Sequence, residues 1–214
     1  DKLLSLAAEK GFLAAQLSKH EVLIDREKYT CNISLQLDTG PQYYFGDVSF
    51  SGSTYSPKFL QRYVNFHPGD DYTSTALLNL QQDLNKSVYF SSVSLHPQEQ
   101  NETNRFVPID IELKPRKAKH YSLGGGFGTD TGIRAIAGFD WYHINNMGNY
   151  FKSNLQLSQV ENHLQARYVI PGKNPATDQY FIGATIEQQD INRNKGVTEK
   201  LSVGFIDQYY EWQR

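Results

Sequence analysis

The chain has 214 residues, which is enough for one or two domains with a sizeable core. Its formal net charge is −2 and its basic residues are scattered, which argues against a nucleic-acid partner. The 14 tyrosines, 12 phenylalanines and 16 glycines favour β architecture with many turns. A single cysteine, Cys31, excludes an internal disulfide. No apolar run reaches the roughly 18 residues of a transmembrane helix.

The first 40 residues predict one helix followed by two strands. Apolar residues at helical spacing run from Leu3 to Phe12, where Gly11 suits a helix C-terminus. Apolar and polar residues then alternate, most clearly over residues 29–37. Cys31 falls in phase with the apolar residues of that run, so we expect a small buried side chain and not a reactive thiol.

Residues 41–117 predict the order β-α-α-β-β. After a strand over residues 43–50, Ser56 and Pro57 are typical of a helix start, and residues 68–70 of its end. A second helix is capped near Thr73 or Ser74. Its expected apolar stripe is Leu77, Leu80, Leu84 and Val88. Two closing strands are predicted at residues 91–96 and 107–113. This is a complete α+β module, and residues 1–40 match its last three elements, so two copies of one unit are expected.

From residue 121 onward the sequence predicts strands only. Residues 121–142 alternate with a period of two around the break Thr129-Asp130-Thr131, which indicates a hairpin. We count about six such segments, each near the length of a tilted strand in a bilayer. The expected turns contain Asn145, Asn146, Gly148, Pro171, Gly172, Pro175, Asn192, Asn194 and Gly196.

Alternation alone fits a soluble sandwich as well as a membrane barrel. Aromatic residues near strand ends favour the membrane alternative, since an interfacial girdle is expected there. They are Tyr121, Trp141, Tyr168, Tyr180 and Tyr209. Polar residues on the opposite face suit a wet lumen better than a dry core. Six strands are too few for a single-chain barrel, so either the chain is cut short or other chains complete its sheet. We expect a fragment that is truncated at both ends, since the first module is also incomplete.

The sequence resembles the BamA/TamA superfamily of outer-membrane barrels with POTRA domains. DTGPQYYFGDVSFSG (residues 38–52) resembles the link between POTRA modules. The second helix and following strand are resembled by the spacing of Tyr72, Leu77, Leu84, Tyr89-Phe90 and Val93, although Ser87 stands where a glycine is usual. GGGFGTDTGIRA (124–135) resembles the first barrel strands, and HLQARYVIPGKNPATDQYF (163–181) resembles the TamA branch in particular. The resemblance covers essentially the whole chain.

The resemblance implies a domain organisation and a function. Residues 1–40 are then the C-terminal part of a POTRA domain, 41–117 a complete one, and 118–214 the N-terminal part of a transmembrane β-barrel. The expected protein is a non-enzymatic assembly factor of the bacterial outer membrane, with its POTRA domains in the periplasm and no cofactor. Its implied partners are the bilayer, client outer-membrane and autotransporter proteins, and an inner-membrane-anchored TamB-like protein.

The resemblance also implies a lateral gate at the first barrel strand, where a client strand pairs with an open sheet edge. The gate residues are Tyr121, Ser122, Leu123, Gly124, Gly125, Gly126, Phe127, Gly128 and Thr129. The glycines weaken this strand. Lumen-facing residues are expected at Arg134, Asp140, Lys152 and Arg167. The POTRA sheet edges at residues 43–50 and 91–96 are further candidate binding edges.

Other functions fit the sequence less well. The glycine run is followed by no Gly-Lys-Ser/Thr and opens no helix, so it is not a phosphate loop. The six histidines show no metal-ligand spacing, and no G-x-S-x-G elbow occurs, so neither a metal site nor a catalytic residue is expected. The alternatives are a two-partner secretion transporter, a BamA-type insertase, and a passive channel or membrane enzyme. The short basic run at residues 115–119 is expected to be a solvated linker and not a headgroup contact.

Overall fold

The computed structural model describes residues 2–98, 105–129, 132–191 and 194–207. The helices are α1 (Lys2–Glu9), α2 (Pro57–Leu60) and α3 (Ser74–Lys86), with a 3-10 turn at Gln61–Tyr63 after α2. The first five strands are β1 (Gln16–Asp25), β2 (Thr30–Asp38), β3 (Tyr44–Ser51), β4 (Phe90–Pro97) and β5 (Phe106–Pro115). The remaining strands are β6 (Lys119–Gly128), β7 (Gly132–Trp141), β8 (Tyr150–Ser158), β9 (Glu161–Pro171), β10 (Asp178–Ile191) and β11 (Asn194–Asp207).

The chain divides into two compact units. The first consists of Asp1–Ser51, Val64–Gln82 and Val93–Leu113. The second consists of Gly52–Tyr63, Asp83–Ser92 and Lys114–Arg214. The second unit therefore combines the strands from β6 onward with two short segments from the preceding α+β region.

In the first unit, β1 and β2 form an antiparallel two-stranded sheet. Its two expected strands are confirmed. Val22 pairs with Ile33 and Ile24 with Cys31, so these residues share one face, yet the first three are 60–71% exposed. Cys31 is exposed as well, so the expectation of a buried cysteine was wrong. Alternation identifies an apolar face, but it does not show whether another element covers that face.

The α+β region has the predicted element order, with β3, α2, α3, β4 and β5 in sequence. Its three-stranded sheet has the order β3-β5-β4, and β3 runs parallel to β5. Alternate residues of β5 are buried, as a sheet with one covered face requires. Within the first unit, Phe45 of β3 stacks on Phe66 with ring centroids 3.8 Å apart and also contacts Tyr72.

The helix starts are confirmed more closely than the helix ends. Ser56 caps α2, because its hydroxyl accepts a hydrogen bond from Phe59 N at 3.2 Å. Thr73 caps α3 by accepting from Ala76 N at 3.4 Å. However, α2 ends at Leu60 and not near residue 68. The helix tightens into the 3-10 turn at Gln61–Tyr63, as helix ends commonly do.

The stripe of α3 is confirmed in its helical part. Leu77, Leu80 and Leu84 are buried. Val88 is partly exposed and lies beyond the last helical residue.

In the second unit, β6 to β11 form one antiparallel sheet in sequential order. The predicted hairpin is confirmed, with Lys119 opposite Trp141 and Gly128 opposite Gly132. Asp130 and Thr131 of its turn lie outside the described residues, as does Asn192. The expectation of a turn at Asn194 and Gly196 was wrong, because both residues pair within β11, opposite Ile191 and Gln189.

The two faces of this sheet differ in polarity, as the alternation predicted. On the apolar face Leu123, Leu201 and Val203 are 77–89% exposed. Tyr209, expected in an aromatic girdle, lies outside the described residues. Among the described residues, no helix is long and apolar enough to cross a membrane.

Candidate functional site

Strand β6 lies at one edge of the six-stranded sheet. Among the described strands it pairs with β7 alone, so its other side presents main-chain donors and acceptors. Eight of the nine predicted gate residues, from Tyr121 to Gly128, lie in β6, and Thr129 follows in the turn. The apolar side chains Tyr121, Leu123 and Phe127 are 68%, 89% and 77% exposed. The predicted gate segment is thus one exposed edge.

The glycines of β6 are not required by local packing. A Cβ atom built on Gly124 or Gly126 meets no atom within 4 Å, and one on Gly125 lies 3.6 Å from Arg134 O. None of the three has a positive φ. Alanine would therefore fit at each position, whereas a Cβ on Gly138 of β7 would overlap the Ser122 hydroxyl. These three glycines therefore give the strand backbone freedom and leave it without side-chain packing at their positions.

The polar face brings together three of the four predicted lumen-facing residues. Asp140, Lys152 and Arg167 occupy one register row across β7, β8 and β9, because Asp140 pairs with Lys152 and Lys152 with Arg167. They line a shallow cavity of about 320 Å³ together with Ser122 and Asn154. Arg134 is on the same face but does not line this cavity, since it pairs with Gly126 and Ser158 towards the other end of the strands.

Charged side chains of this row are held by aromatic rings and hydrogen bonds. Asp140 Oδ2 accepts a hydrogen bond from the Tyr142 hydroxyl at 2.8 Å and lies 3.7 Å from His120 Nδ1. Lys152 Nζ lies 5.7 Å from the centre of the Tyr142 ring, and the Arg167 guanidinium 4.5 Å from that of Phe181. Burial, and then the bond to Asp140, raises the pKa of Tyr142 to about 12. The hydroxyl therefore stays protonated and donates at neutral pH.

An aromatic cluster that the sequence did not predict surrounds the turn at residues 142–149. Tyr55 donates a hydrogen bond to Tyr142 O at 3.0 Å, and Tyr89 donates to Gly148 O at 2.7 Å. The ring of Phe59 meets that of Tyr89 edge-on, with centroids 5.2 Å apart. Burial raises the pKa of Tyr55 to about 12 and raises that of Tyr89 as well. Both phenols are thus neutral donors fixed on main-chain oxygens.

Residues 56–62 hold this turn and also the turn between β9 and β10, at the same end of the sheet. Arg62, in the 3-10 turn, donates from Nη2 to Pro171 O at 2.9 Å and from Nε to Lys173 O at 3.3 Å. Ser56 N donates to Asn146 O at 2.9 Å. These contacts join residues separated by roughly 90 to 110 positions in sequence, which is why no local pattern indicated them. The turn residues Asn145, Asn146 and Gly148 were the one available signal.

In the part of the chain that the structure describes, no group of three His, Cys, Asp or Glu side chains is arranged to hold a metal ion. The sheet edge and the polar face are therefore the candidate sites.

Comparison with known proteins gives a match to the POTRA family, described as a surface antigen variable number repeat, over residues 43–116. Residues 43–116 are a POTRA domain. A curated relative, the outer membrane protein assembly factor BamA of Buchnera aphidicola, is 22% identical over 166 residues, which cover 77% of this chain and 27% of the relative. The chain therefore spans about a quarter of that relative's length.

Solved structures share the fold of both the POTRA domain and the following strands. BamA from Haemophilus ducreyi lacking POTRA domains 1–3 matches with a TM-score of 0.71 and 17% identity over 94% of this chain and 40% of that one. CdiB from Acinetobacter baumannii matches with a TM-score of 0.57 and 14% identity over 92% of this chain and 39% of that one. The β-rich region thus resembles that of BamA, while in this chain it is an open antiparallel sheet.

The POTRA domain has its two edge strands where the sequence indicated them, at β3 and β4. The first half of the β3 edge is already occupied. Phe45 N donates to Asp70 O at 2.8 Å, Gly69 N donates to Phe45 O at 2.8 Å, and Tyr44 bridges Asp71. Strand β4 is therefore the POTRA edge better suited to pairing with an incoming strand.

Proposed function

We propose that the protein is an outer-membrane assembly factor that helps to insert or secrete autotransporters and other β-barrel proteins. In this proposal β6 to β11 begin a transmembrane barrel, and the POTRA domain lies in the periplasm. The observation that carries the proposal is the glycine-rich edge strand β6, which directly follows the POTRA domain along the chain. The likeness to a protein named as an assembly factor supports it.

The proposed mechanism is β-augmentation at a lateral gate. An incoming client strand would pair with the main-chain groups on the open side of β6. Because Gly124, Gly125 and Gly126 lack side chains that would stiffen this edge, pairing there is readily broken and re-formed. Arg134, Asp140, Lys152 and Arg167 would then face the aqueous lumen. No covalent chemistry is involved, so the protein is not an enzyme in this proposal.

Disulfide trapping in cells would test the gate. Cys31 is first changed to serine, since it is exposed and would cross-link on its own. Leu123→Cys is then paired with cysteines along the last strand of an autotransporter client. Directly opposed residues of antiparallel strands have Cα atoms about 4.5–5.5 Å apart, which suits a disulfide. We expect an adduct at one register of the client strand.

The matched control is Leu155→Cys, on the same apolar face but in the central strand β8. Leu155 is already flanked by Ala137 of β7 and Leu164 of β9, so no client strand can pair beside it. Equal adduct yields at positions 123 and 155, or none at position 123 while the client still assembles, would refute the gate.

We further propose that the protein belongs to the TamA branch and works with a TamB-like, inner-membrane-anchored partner. The β4 edge of the POTRA domain is the proposed contact. A photoreactive amino acid at Ser92 on β4 should then label that partner. The same group at Glu112, an equally exposed residue of the central strand β5, should not. Labelling from both positions would argue against edge pairing.

A two-partner secretion transporter is the alternative function, and the likeness to CdiB is the observation that favours it. Such a protein would pass a soluble cargo along the polar face and would not pair it with β6. A cysteine at Lys152, in the polar cavity, should then trap the cargo in transit, and Leu123→Cys should not. The two variants together separate the two functions.

A further inference from the structure

The basic link between β5 and β6 borders a concave pocket of about 530 Å³. Lys114, Arg116, Lys117, Lys119 and His120 line it, and the buried side chain of Tyr142 is part of its wall. Among the described residues, none of those that line the pocket is acidic. The basic run is exposed, as a solvated linker would be, and it also borders this cavity.

Hydrogen bonds fix the backbone of the link at Arg116 and Ala118, beside the pocket. Arg116 N donates to Tyr89 O at 2.8 Å, and Arg116 Nη2 donates to Phe90 O at 3.3 Å. Tyr142 N donates to Ala118 O at 2.7 Å. The carboxylate of Asp140 accepts a hydrogen bond from the hydroxyl of Tyr142, a residue of the pocket wall, and lies 3.7 Å from His120 Nδ1. One carboxylate beside four lysine and arginine side chains leaves this region positively charged.

The pocket lies at the boundary between a polar and an apolar surface. Lys119 Nζ lies 5.2 Å from the centre of the Trp141 ring, at the shared end of β6 and β7. Trp beside Lys is typical of the membrane–water interface, where the lysine stem covers apolar surface and the ammonium group reaches water. Two residues further along β6 begins the exposed apolar row of Tyr121 and Leu123.

We propose that this pocket binds the phosphate headgroup of an anionic phospholipid, whose acyl chains follow the apolar face of β6. The proposal rests on the membrane location of β6 to β11 given above. The charge complementarity is specific to an anion, and the adjoining apolar strand calls for a ligand that also has a hydrocarbon tail. A bound lipid would lie beside the edge at which client strands are proposed to pair.

The test uses the detergent-solubilised protein with Trp212 replaced by phenylalanine, which leaves Trp141 as its sole tryptophan. Trp141 fluorescence is followed while dioctanoyl phosphatidylglycerol or dioctanoyl phosphatidylcholine is added. We expect a saturable change with phosphatidylglycerol at much lower concentration than with phosphatidylcholine. Each basic residue contributes roughly a fivefold change in affinity near an anionic lipid surface, so Lys114→Gln/Lys117→Gln should weaken binding by about 25-fold.

The matched control is Lys173→Gln, which removes an exposed charge from the β9–β10 turn at the same end of the sheet. It should leave the affinity unchanged. An equal loss per charge in the control would indicate diffuse surface attraction and overturn the pocket. Equal affinity for both lipids would overturn headgroup recognition. Full competition by inorganic phosphate, or by a polyglutamate peptide, at the lipid's own concentration would assign the pocket to a free anion or to an acidic protein segment.

This assay needs no client protein, so its failure differs from failure of the proposed function. Selective lipid binding without client adducts at position 123 would refute the proposed lateral gate and support the proposed lipid pocket. Client adducts without lipid selectivity would do the reverse.

Discussion

Close contacts around single residues fix the turns at the Lys119 end of the sheet. Gly148 has a φ of +84°, and a Cβ atom there would overlap the ring of Phe59. Its carbonyl oxygen also accepts the Tyr89 hydroxyl. One glycine therefore meets both a conformational and a steric requirement, and the aromatic cluster depends on it.

Gly148→Ala should destabilise the protein by more than about 2 kcal/mol. A left-handed backbone conformation costs an alanine about 1–2 kcal/mol, and the buried ring of Phe59 would also be displaced. Urea unfolding of the protein in detergent micelles measures this. Gly69→Ala is the control that separates the two effects. Gly69 has a φ of +97° but nothing within 4 Å of its Cβ position. Equal losses at the two sites would show that the contact with Phe59 contributes nothing.

Asp110 gives the POTRA domain a dependence on acid pH. Its carboxylate accepts hydrogen bonds from the Ser49 hydroxyl and, at 2.5 Å, from Gln98 Nε2, and these bonds hold its pKa below the usual 3.8. The folded pKa is lower than the unfolded one, so the stabilisation is present above about pH 4 and is lost as the pH falls through the folded pKa. Ser49→Ala should therefore flatten the fall in stability below about pH 4.

Urea midpoints compared near pH 6 and pH 3 test that dependence. Ser51→Ala serves as the control, since the Ser51 hydroxyl bonds to Ile111 O and not to a carboxylate. If both variants have the same pH profile of stability, Asp110 does not cause the pH dependence.

At the scale of elements, β6 stands out because it is an edge strand whose glycines have room for alanine. Replacing such a glycine restricts the unfolded chain and favours the extended strand, by about 0.4–1 kcal/mol at each site. The strand is thus less stable than its geometry allows. Low stability of this strand is what a lateral gate that opens and closes would need.

The double variant Gly124→Ala/Gly126→Ala should slow amide hydrogen exchange in β6 by about four- to thirtyfold. Under the proposed function it should also slow client assembly while the protein itself stays folded. Gly183→Ala in the interior strand β10, where a Cβ would lie 2.9 Å from Ser202 Oγ, is expected to speed local exchange instead. Slower exchange in β6 with unchanged assembly would separate strand stability from gating.

The elements show what sequence patterns can and cannot predict. The stripe of α3 was predictable because Leu77, Leu80 and Leu84 follow the period of a helix. The row of Asp140, Lys152 and Arg167 was predictable in its face, because side chains alternate along a strand. The length of α2 was not, because the apolar spacing does not show where the helix changes to the 3-10 turn at Gln61–Tyr63.

Contacts between segments that are distant in sequence could not be predicted from local patterns either. The exposure of Cys31 depends on what covers β2, and no periodicity carries that information. The bonds of Tyr55 and Tyr89 to the 142–149 turn join residues 87 and 59 positions apart. Predicting them requires the fold itself.

At the scale of the molecule, the β6–β11 sheet presents one exposed apolar face and one polar face. This arrangement suits a sheet between lipid and water. Leu155→Arg, on the apolar face of β8, should therefore destabilise the protein in a bilayer. The expected loss is about 2–4 kcal/mol if the side chain lies near the midplane. Asn154→Arg, on the polar face beside it, should be tolerated.

Insertion of the two arginine variants into liposomes, followed by protease protection, measures this difference. Equal insertion of both would contradict the assignment of the faces. Loss of insertion by the Asn154 variant alone would mean that the faces are reversed.

The link between the POTRA domain and the sheet has a mechanical consequence. Strand β5 ends at Pro115 and β6 begins at Lys119, so three residues join them, with a reach of roughly 10 Å at full extension. Arg116 is moreover fixed to the start of β4 by two hydrogen bonds. The tether therefore has almost no slack. A larger displacement of the last POTRA strand would therefore act directly on β6, so a pull on the POTRA domain would be transmitted as tension to a glycine-rich edge strand.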